Sequence, residues 1–473
     1  MKPIKIYLPS HVNGCNSHLL SNCFLKSLKN RNIKSEIVED IDLIKPNDIV
    51  IYRFGSEIYK GSLANTEQCS IENYKLINSL ENKGCLCYPS AELMKYYENK
   101  VQLYYLFLDK NIKIPTSFLI NNFNSYSDLR DEIKKHLPVI IKHCYSCSSN
   151  NIQQAFTIDE LDNKIKQYYK KNSSIILIQK KIQFTREARL TYIGNNIYHA
   201  YYRIKNSSED VSGATNYGST ISFTVDTKKL TPFITKFVEM TKFYIGGIDI
   251  VWENDNLDSE PYVLEVSPIY DINPPPIGKF IYKPYSSFKT SEFYENEKQK
   301  IYQLASDNII DYILEINNRP TLLVDIDCTL SDSEPRIKKW AKDEAYKKYE
   351  HILCDLPIEN SQRVLNKLYE KYKIIIITSR KSFPEGLFST KDWLYIHNYS
   401  YHQLILVNDL REKTLYYNNK NTDILIDDFT TNHHINTIDD TRNLEYFKEN
   451  GFKYIKFDKN NSNWLYIEKS LCN

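Results

Sequence analysis

Acidic and hydroxyl side chains follow three apolar runs in the last third of the sequence. Asp325 and Asp327 come after one run, Thr378 ends a second, and Asp427 and Asp428 follow a third. Open α/β sheets bind ligands at the carboxyl ends of their strands, so we expect these groups to meet at one sheet edge. Four acids gathered there would repel one another unless a divalent cation lay among them, and hard oxygen ligands select Mg²⁺. The pattern therefore predicts a magnesium site.

A second group of charged residues lies in the middle of the chain. Lys142 ends an apolar, strand-like run, and Lys100 lies within a helical stretch. Asp249 and Glu265 lie in two further strand-like runs. A single lysine is usually a solvated surface charge. Two lysines with two carboxylates, in contrast, provide what a Mg²⁺-nucleotide site requires, which is cations for the phosphates and oxygen ligands for the metal.

The elements that must position these groups follow from the spacing of apolar residues. Apolar residues three and four apart predict helices, and short apolar runs predict strands. Two strands around a helix near the N-terminus indicate a small α/β domain with a parallel sheet. Because Pro320 biases the preceding residue away from helix, residues 318–320 are interpreted as a linker. The predicted strands lie at 3–8, 47–52, 138–142, 175–179, 188–193, 262–266, 321–324, 374–377 and 423–426, and the predicted helices at 19–28, 93–108 and 297–317.

Length and composition set the broad class of the protein. A chain of 473 residues is too long for one hydrophobic core and predicts two or three domains. The hydrophobic fraction of 42% and the charged fraction of 25% are those of a folded globular protein. The net charge of +2 does not favour nucleic acid as a partner, because general polynucleotide binding relies on a basic excess.

Targeting signals are not apparent in the sequence. No run approaches the roughly 20 apolar residues of a membrane-spanning helix, and the first residues do not form a signal-peptide core. The 10 Cys are scattered, unlike those of a secreted disulfide scaffold, so we expect reduced thiols. These features predict a cytoplasmic protein without a membrane partner.

The C-terminal motifs resemble those of the haloacid-dehalogenase phosphatase superfamily. That superfamily has Asp-x-Asp-x-Thr, a Ser/Thr strand end, a Lys and an acidic pair in this order, and residues 320–473 contain all four. The Thr-Ser-Arg strand end and the Ile-Asp-Asp ending look most like the phosphatase domain of polynucleotide kinase-phosphatases. Cys328 replaces a frequent Gly of the first motif without removing a reacting group. The interval 329–378 is short, so we expect a Rossmann-like domain with little or no cap and an open site for bulky phosphorylated substrates.

The resemblance implies a role for each matched residue. Asp325 would be the nucleophile that attacks phosphorus and Asp327 the general acid. Thr378 and Lys413 would hold the phosphoryl oxygens. The magnesium ligands would be drawn from Asp325, Asp327, Asp427 and Asp428.

Residues 90–290 resemble the ATP-grasp superfamily, nearest to members like glutathione synthetase and the ribosomal-protein glutamate ligase. The resemblance implies an α+β domain that binds ATP and Mg²⁺, preceded by an α/β module. Its matched positions are Lys100 and Lys142 for the ATP phosphates, Gln179, Lys180 and Ile182 for the adenine hinge, Glu187 for the ribose, Arg189, Arg203 and Asn216 for phosphate or substrate, and Asp249, Glu265 and Ser267 for the metal.

Two departures from the ATP-grasp pattern stand out. Ser267 occupies the position of a third metal ligand that is often Asn in the family, and serine is a weaker oxygen donor. A second Mg²⁺ would then be bound loosely or through Asn273. The phosphate loop, usually rich in glycine, reads His-Cys-Tyr-Ser-Cys-Ser-Ser-Asn-Asn at 143–151. Ser and Asn amides can still surround phosphate, and Asn tolerates left-handed conformations, so this altered loop is compatible with function.

Taken together, the sequence predicts a bifunctional α/β enzyme with three domains. They are an α/β module at 1–88, an ATP-grasp domain at 89–317 and a haloacid-dehalogenase-like domain at 320–473. The expected reactions are ligation of a carboxylate to an amine through an acyl phosphate and hydrolysis of a phosphomonoester, on small-molecule or conjugate substrates that carry a carboxylate and a phosphate. Two alternatives stay open. One is an ATP-grasp kinase that phosphorylates a hydroxyl, paired with the phosphatase in nucleic-acid end or metabolite processing. The other is a non-catalytic ATP-binding module that regulates the phosphatase.

Overall fold

The chain divides into two compact units, 1–312 and 313–473. A computed structural model describes residues 4–9, 15–53, 66–145, 152–170, 174–206, 218–276, 285–341, 344–431, 438–439 and 441–472. Within these ranges, the protein contains no helix that is both long enough and apolar enough to cross a lipid bilayer.

The first unit begins with a four-stranded parallel sheet. Its elements are β1 (Ile4–Tyr7), α1 (Cys15–Asn30), β2 (Ser35–Val38), β3 (Ile49–Tyr52), α2 (Thr66–Asn82) and β4 (Leu86–Tyr88). The strand order is β2-β1-β3-β4, and all three pairings are parallel. Every residue of β3 is buried, which is typical of a central parallel strand covered on both faces. The predicted parallel sheet is therefore confirmed.

The predicted helix at 93–108 is wrong as a single element. The segment forms two helices, α3 (Ala91–Met94) and α4 (Lys100–Asp109). Between them Glu98 adopts a left-handed backbone conformation with φ 52°, which a continuous α-helix does not tolerate. The Asn99 side chain accepts a hydrogen bond from the Gln102 amide, so it caps the new helix. Lys100 consequently lies at the start of a helix instead of within one.

Two antiparallel sheets form the rest of the core of the first unit. The elements are β5 (Ser117–Ile120), α5 (Phe123–Lys134), β6 (Val139–His143), β7 (Gln153–Ala155), α6 (Ile158–Tyr169), β8 (Ile176–Lys180), β9 (Arg186–Ile193), β10 (Asn196–Ile204), β11 (Thr220–Ser222), α7 (Thr227–Thr241), β12 (Ile245–Val251) and β13 (Tyr262–Ser267). The smaller sheet has the order β5-β8-β6-β7 and packs its apolar face on α5 and α6. The larger sheet has the order β11-β10-β9-β12-β13.

The helices α8 (Tyr285–Lys289) and α9 (Tyr294–Asn318) follow the larger sheet. The predicted helix at 297–317 is confirmed by α9. The division between the two compact units falls within this helix, after Tyr312.

The second unit is built on a five-stranded parallel sheet. The elements are β14 (Thr321–Val324), β15 (Ser331–Asp332), α10 (Glu334–Lys339), α11 (Tyr349–Ile352), β16 (Leu356–Pro357), α12 (Ser361–Leu368), β17 (Lys373–Thr378), α13 (Gly386–Ile396), β18 (Gln403–Leu406), β19 (Ile424–Asp427), β20 (Thr430–Thr431), β21 (Ile438–Asp439), α14 (Thr441–Glu449), β22 (Lys453–Lys456) and α15 (Trp464–Cys472). The strand order of the five-stranded sheet is β18-β17-β14-β19-β22, and all of its pairings are parallel.

Both faces of this sheet are covered. Leu322 and Val324 of β14 belong to one apolar cluster, which includes Trp393 and Trp464, while Leu323 belongs to a second cluster. Successive residues of a strand point to opposite faces, so the continuous apolar run is explained by burial on both sides. Between β14 and β17 the described residues form only short helices and the two-stranded pair β15 and β16.

Candidate functional site

A cleft in the first unit is lined by residues of both antiparallel sheets. Clefts in which a few polar and charged side chains converge are typical of small-molecule and cofactor sites. The predicted site residues that line it are Lys142, Gln179, Lys180, Ile182, Glu187, Arg203, Asp249 and Glu265. The structure thus brings together most of the residues predicted to bind the nucleotide and its metal.

Strand pairing places the charged residues of the larger sheet side by side. Asp249 of β12 pairs with Arg189 of β9 on one side and with Glu265 of β13 on the other. In the same way Glu187 of β9 pairs with Arg203 of β10. Residues two apart on a strand share a face, so Glu187 and Arg189 point in the same direction. Asp249 and Glu265, the two carboxylates expected from adjacent strands, therefore lie on neighbouring strands of one sheet.

The two arginines form ion pairs with the acids of this sheet. Arg203 donates a hydrogen bond of 2.7 Å to Glu187 and lies 3.3 Å from Asp249. Arg189 Nε lies 2.7 Å from Asp249 Oδ1, an ionic contact without hydrogen-bond alignment. Burial raises the pKa of Asp249 to about 6, although both arginines act in the opposite direction. The Glu187 carboxylate already accepts a hydrogen bond from Arg203, so a ribose hydroxyl would have to bind the same carboxylate.

The two lysines lie close to Glu265. Lys100 Nζ is 3.7 Å from Glu265 Oε1. Burial alone would raise the pKa of Glu265, but Lys100 and Lys142, together with the two arginines, hold that pKa below its ordinary value. Burial lowers the pKa of Lys142 to about 8, and the positive charge of Lys100 adds to this effect. Two ammonium groups that repel each other around one carboxylate are well placed to receive the phosphates of a nucleotide.

The predicted adenine hinge continues from the end of β8. The Gln179 side chain donates a hydrogen bond of 2.9 Å to Ser117 Oγ and therefore faces β5. The Lys180 backbone amide donates a hydrogen bond to the Thr116 carbonyl, and the Lys180 ammonium lies 3.4 Å from the Glu253 carboxylate. Ile182, the last hinge residue, is a buried wall of the cleft.

Ser267 uses its hydroxyl locally, since Oγ donates a 2.5 Å hydrogen bond to the Ile269 carbonyl. Asn273 is the alternative metal ligand, and its side-chain nitrogen donates a 2.9 Å hydrogen bond to the Tyr201 hydroxyl. Asn216 and residues 146–151 of the phosphate loop lie outside the described residues. A metal bound in the first unit would thus depend mainly on carboxylates.

A second set of predicted residues meets at the carboxyl edge of the parallel sheet in the second unit. Asp325 follows β14, Asp427 ends β19 and Asp428 comes next. Carboxylate oxygens of these three residues all lie within 4.8 Å of one another. Lys413, in the helical turn Arg411–Tyr416, donates 2.6 Å hydrogen bonds to Asp325 and Asp427. Three buried acids lie together with one lysine, which bonds to two of them, so a hard divalent cation fits the donor set.

The electrostatics of this edge agree with that fit. Burial raises the pKa of Asp325 to about 7, with Lys413 opposing and Asp427 adding to the shift. Burial and the charge of Asp427 also raise the pKa of Asp428 well above its ordinary value. In Lys413, burial lowers the pKa, but the two aspartates outweigh it and leave the ammonium firmly charged. The acids repel one another more than one ammonium can offset, and this favours a bound cation.

Asp327 lies apart from the three clustered acids. Its carboxylate accepts 2.7 Å hydrogen bonds from Arg336 and from two nitrogens of Arg380. Burial alone would raise the pKa of Asp327, but Arg380 and Arg336 hold it well below its usual range. The conformation described therefore holds Asp327 as an ionised carboxylate.

Two threonines complete the edge. Thr378 is buried, and its Oγ1 has no hydrogen-bond partner in the described part of the chain. A buried hydroxyl without a partner is available to a ligand. Thr329 Oγ1 accepts a 3.1 Å hydrogen bond from the Asp428 amide, so it fixes the acidic pair. The first motif thus contributes a positioning residue as well as two carboxylates.

Sequence reasoning did not identify several residues of the cleft. Lys205, one residue past β10, lines the cleft with its ammonium 3.5 Å from the Phe184 ring centroid. Lys181 also lines it and donates to Gln154 at 3.1 Å. Nothing in the spacing of lysines distinguishes these two from surface lysines.

Comparison with known proteins finds a family model that matches the middle of the chain. Residues 97–271 match the model of the RimK-like ATP-grasp domain. The chain is 23% identical over 257 residues to the coenzyme gamma-F420-2:alpha-L-glutamate ligase of Methanocaldococcus jannaschii, covering 52% of this chain and 86% of that protein. It is also 23% identical over 238 residues to the ligase of the same name from Methanococcus maripaludis, covering 49% and 77%.

Solved structures similar to this chain include a RimK domain ATP-grasp protein from Sphaerobacter thermophilus, with 13% identity and a TM-score of 0.41 over 65% of this chain and 99% of that one. The D-alanine–D-alanine ligase of Bacillus anthracis has 15% identity and a TM-score of 0.40 over 67% and 100%. The family match and the strand arrangement together make this a mixed α/β protein with an ATP-grasp domain.

Proposed function

We propose that this protein is a bifunctional enzyme, in which an ATP-grasp carboxylate–amine ligase is joined to a magnesium-dependent phosphatase. The first activity is supported by the ATP-grasp match at 97–271 and by the cleft within that segment, in which lysines, an arginine and carboxylates from both antiparallel sheets converge. The second is supported by the three clustered aspartates and Lys413 at the edge of a parallel sheet.

In the ligase, the γ-phosphate of ATP would pass to a carboxylate, and an amine would then displace phosphate from the acyl phosphate. Lys100 and Lys142 would bind the phosphates, while residues 179–182 would hold the adenine. Asp249 and Glu265, with Ser267 as a weak neutral donor, would hold Mg²⁺, which neutralises phosphate charge when bound. Arg189 would serve the acyl phosphate from its place beside Asp249.

Hydroxylamine distinguishes the ligase from a kinase. The protein is incubated with Mg²⁺-ATP, hydroxylamine and single carboxylic acids, and hydroxamate is measured together with ADP. An acyl phosphate reacts with hydroxylamine, whereas the phosphate ester made by a hydroxyl kinase does not. The names of the two archaeal ligases support L-glutamate as the first amine to test. ADP without hydroxamate would favour the kinase, and ATP binding without ADP would favour a non-catalytic module.

In the phosphatase, an oxygen of Asp325 would attack phosphorus and form an aspartyl phosphate, which water then hydrolyses. Thr378 and Lys413 would bind the phosphoryl oxygens, and Asp427 and Asp428 would complete the magnesium ligands. Asp327 would protonate the leaving oxygen. Because Arg336 and Arg380 keep Asp327 ionised, this step requires substrate binding to loosen at least one arginine contact. The test is hydrolysis of p-nitrophenyl phosphate, which should need Mg²⁺ and stop with EDTA.

A further inference from the structure

Arg53 directly follows β3 of the N-terminal parallel sheet, and its side chain contacts the turn that follows β13. The guanidinium donates a 2.6 Å hydrogen bond to the Pro268 carbonyl and another hydrogen bond to the Tyr270 carbonyl. It also lies over the Tyr270 ring, 4.0 Å from the ring centroid. Arg53 is only 7% exposed, and within the described ranges no acid lies at ion-pair distance from it. A buried guanidinium without a carboxylate partner is costly, so its presence calls for an explanation.

The start of α1 supports the same contact. Ser17 Oγ donates a 2.8 Å hydrogen bond to the Arg53 carbonyl, and the Asn16 side chain donates a 3.0 Å hydrogen bond to the Asp271 carboxylate. Helix α1 comes after β1, and β1 pairs with β3, so both contacts come from the carboxyl ends of neighbouring parallel strands. Open α/β sheets place their functional groups at this edge. The N-terminal sheet therefore holds the turn at 268–271.

Tyr270 extends this contact to the larger antiparallel sheet. A Cβ atom added to Gly247 of β12 would lie 2.8 Å from Cβ and Cγ of Tyr270 and 2.8 Å from a guanidinium nitrogen of Arg189. The side chains of Tyr270 and Arg189 thus fill the space above Gly247 together and are neighbours there. The hydroxyls of Tyr270 and Tyr198 share a 2.5 Å hydrogen bond, which fixes the far end of the Tyr270 ring.

Hydrogen bonding through Nε does not orient Arg189. This nitrogen is buried and lies 2.7 Å from Asp249 Oδ1, yet it has no hydrogen-bond partner in the described part of the chain. The attraction to Asp249 keeps the guanidinium next to a residue that lines the cleft. Because a misaligned contact sets no direction for the N–H groups, packing against Tyr270 has to restrict it.

We propose that Arg53 is a positioning residue of the ligase, which holds the Tyr270 ring and thereby sets the direction in which Arg189 presents its guanidinium to the acyl phosphate. This inference rests on the proposed ligase function. Arginine suits the role, because its planar fork can donate to two carbonyls while its face stacks on an aromatic ring. The donors of Arg53 are engaged with the turn, so it acts through Arg189 and not on the substrate.

The test compares Arg53→Gln with Arg31→Gln in the full chain. Arg31 is a matched control, because it also joins the N-terminal part to a distant segment, through ion pairs of 2.9 Å with Asp307 and 2.7 Å with Asp311 of α9. Turnover is measured as hydroxamate formed with saturating Mg²⁺-ATP, hydroxylamine and the carboxylic acid that the wild type uses best. Calorimetry measures binding of the β,γ-imido analogue of ATP with Mg²⁺.

Arg53→Gln should lower the maximal rate roughly tenfold or more, because a small misplacement of a group that serves the reaction is costly. Its affinity for the analogue should stay within about twofold of the wild type, since the nucleotide contacts are unchanged. Arg31→Gln should match the wild type in both measurements. Added to Arg189→Ala, Arg53→Gln should slow that variant by less than about twofold, because residues that act through one another are not additive.

Losses that multiply in the double variant would show that Arg53 acts independently of Arg189, and they would overturn the proposal. So would an unchanged rate in Arg53→Gln, or a loss of analogue affinity as large as the loss of rate. If Arg53→Gln did not fold, Tyr270→Phe would serve instead, because it keeps the ring but frees its far end from Tyr198, and an unchanged rate there would be equally decisive. A wild-type chain that forms no hydroxamate with any acid would refute the ligase itself, and the role of Arg53 with it.

Discussion

Lys413 lies between Asp325 and Asp427, with its ammonium 2.6 Å from an oxygen of each. One buried ammonium cannot neutralise three neighbouring acids, and burial leaves the pKa of Asp325 at about 7. A nucleophilic carboxylate has to be ionised, so a second positive charge near Asp325 would be needed for rapid reaction at neutral pH. This is the physical reason to expect magnesium at the carboxyl edge of the parallel sheet in the second unit.

Replacement of Asp325 by Asn should abolish phosphatase activity without unfolding the protein. The amide has nearly the same shape but is a poor nucleophile and a weaker metal ligand. We expect hydrolysis of p-nitrophenyl phosphate below roughly 1% of the wild-type rate, with circular dichroism unchanged. Asp332→Asn, at an exposed acid that pairs with Lys459, is the control and should retain full activity. Substantial activity in the Asp325 variant would remove this residue from the nucleophile role.

In the first unit, Glu265→Gln and Lys142→Ala should both weaken binding of Mg²⁺-ATP. The first removes a charged metal ligand, and the second removes a charge-assisted contact worth roughly 1.5 to 3 kcal/mol. Metal-free adenosine, bound through the hinge, should keep its affinity. Arg189→Ala offers a contrast, because it should slow turnover more than it weakens ATP binding. Calorimetry that finds unchanged ATP affinity in both the Glu265 and Lys142 variants would contradict the nucleotide site.

At the level of single residues, the sequence predicted which charged residues belong to a site better than it predicted which oppositely charged residues they contact. Lys142, Asp249 and Glu265 could be chosen because each ends or interrupts an apolar run, and the structure brings them to one cleft. The arginine contacts of Asp327 could not be predicted, because Arg336 and Arg380 come from separate segments whose meeting depends on the fold.

At the scale of elements, apolar runs predicted five strands of the two parallel sheets to within two residues at each end, namely β1, β3, β14, β17 and β19. The other four strands of these sheets, β2, β4, β18 and β22, were not predicted. The predicted helix at 93–108 was wrong because its apolar spacing continues across the break between α3 and α4. A capping signal was present, since Asn99 precedes Lys100 and caps α4. The backbone reversal at Glu98 had no such signal, because left-handed glutamate is rare.

His402, in the connection before β18, should make the second unit sensitive to acid. The Ile374 amide donates a 3.0 Å hydrogen bond to Nδ1 of His402, and the ring stacks on Tyr369 with centroids 4.1 Å apart. Burial, with Arg319 and Lys373 adding to it, lowers the pKa of His402 well below its ordinary value. The unfolded chain therefore takes up a proton below about pH 6.5 that the folded chain does not.

The sign follows from this difference in bound protons. The contribution of His402 to stability is fully present above about pH 6.5 and falls by about 1.4 kcal/mol per unit as the pH drops, until the folded pKa is reached. Urea unfolding of the wild type and His402→Asn at pH 7.5 and 5.5 measures it. Asn can still accept from the Ile374 amide but does not titrate, so its stability should fall less between the two pH values. Equal losses in both proteins would contradict this assignment.

At the scale of the whole molecule, the sequence placed the start of the last domain at residue 320, while the compact units divide after Tyr312. Contacts within the second unit explain the difference. Lys373 donates a 2.7 Å hydrogen bond to the Asn317 side chain, and Arg319 donates a 3.0 Å hydrogen bond to the Tyr369 carbonyl. A proline indicates where a helix ends, but it does not show which unit the last helical turn packs against. The boundary predicted at residue 88 stays a prediction.

Two fragments of different length should therefore behave differently. We expect residues 313–473 to fold alone and to hydrolyse p-nitrophenyl phosphate with Mg²⁺, because Asp325, Lys413 and the acidic pair all belong to this unit. Residues 320–473 should also be active but less stable by about 1 to 2 kcal/mol, since they lack the contacts of Asn317 and Arg319. Urea unfolding followed by the fluorescence of the buried Trp393 and Trp464 measures the difference. Equal stability of the two fragments would mean that the last helical turn adds nothing. An insoluble or inert longer fragment, beside an active full-length chain, would show that the phosphatase site depends on the first unit.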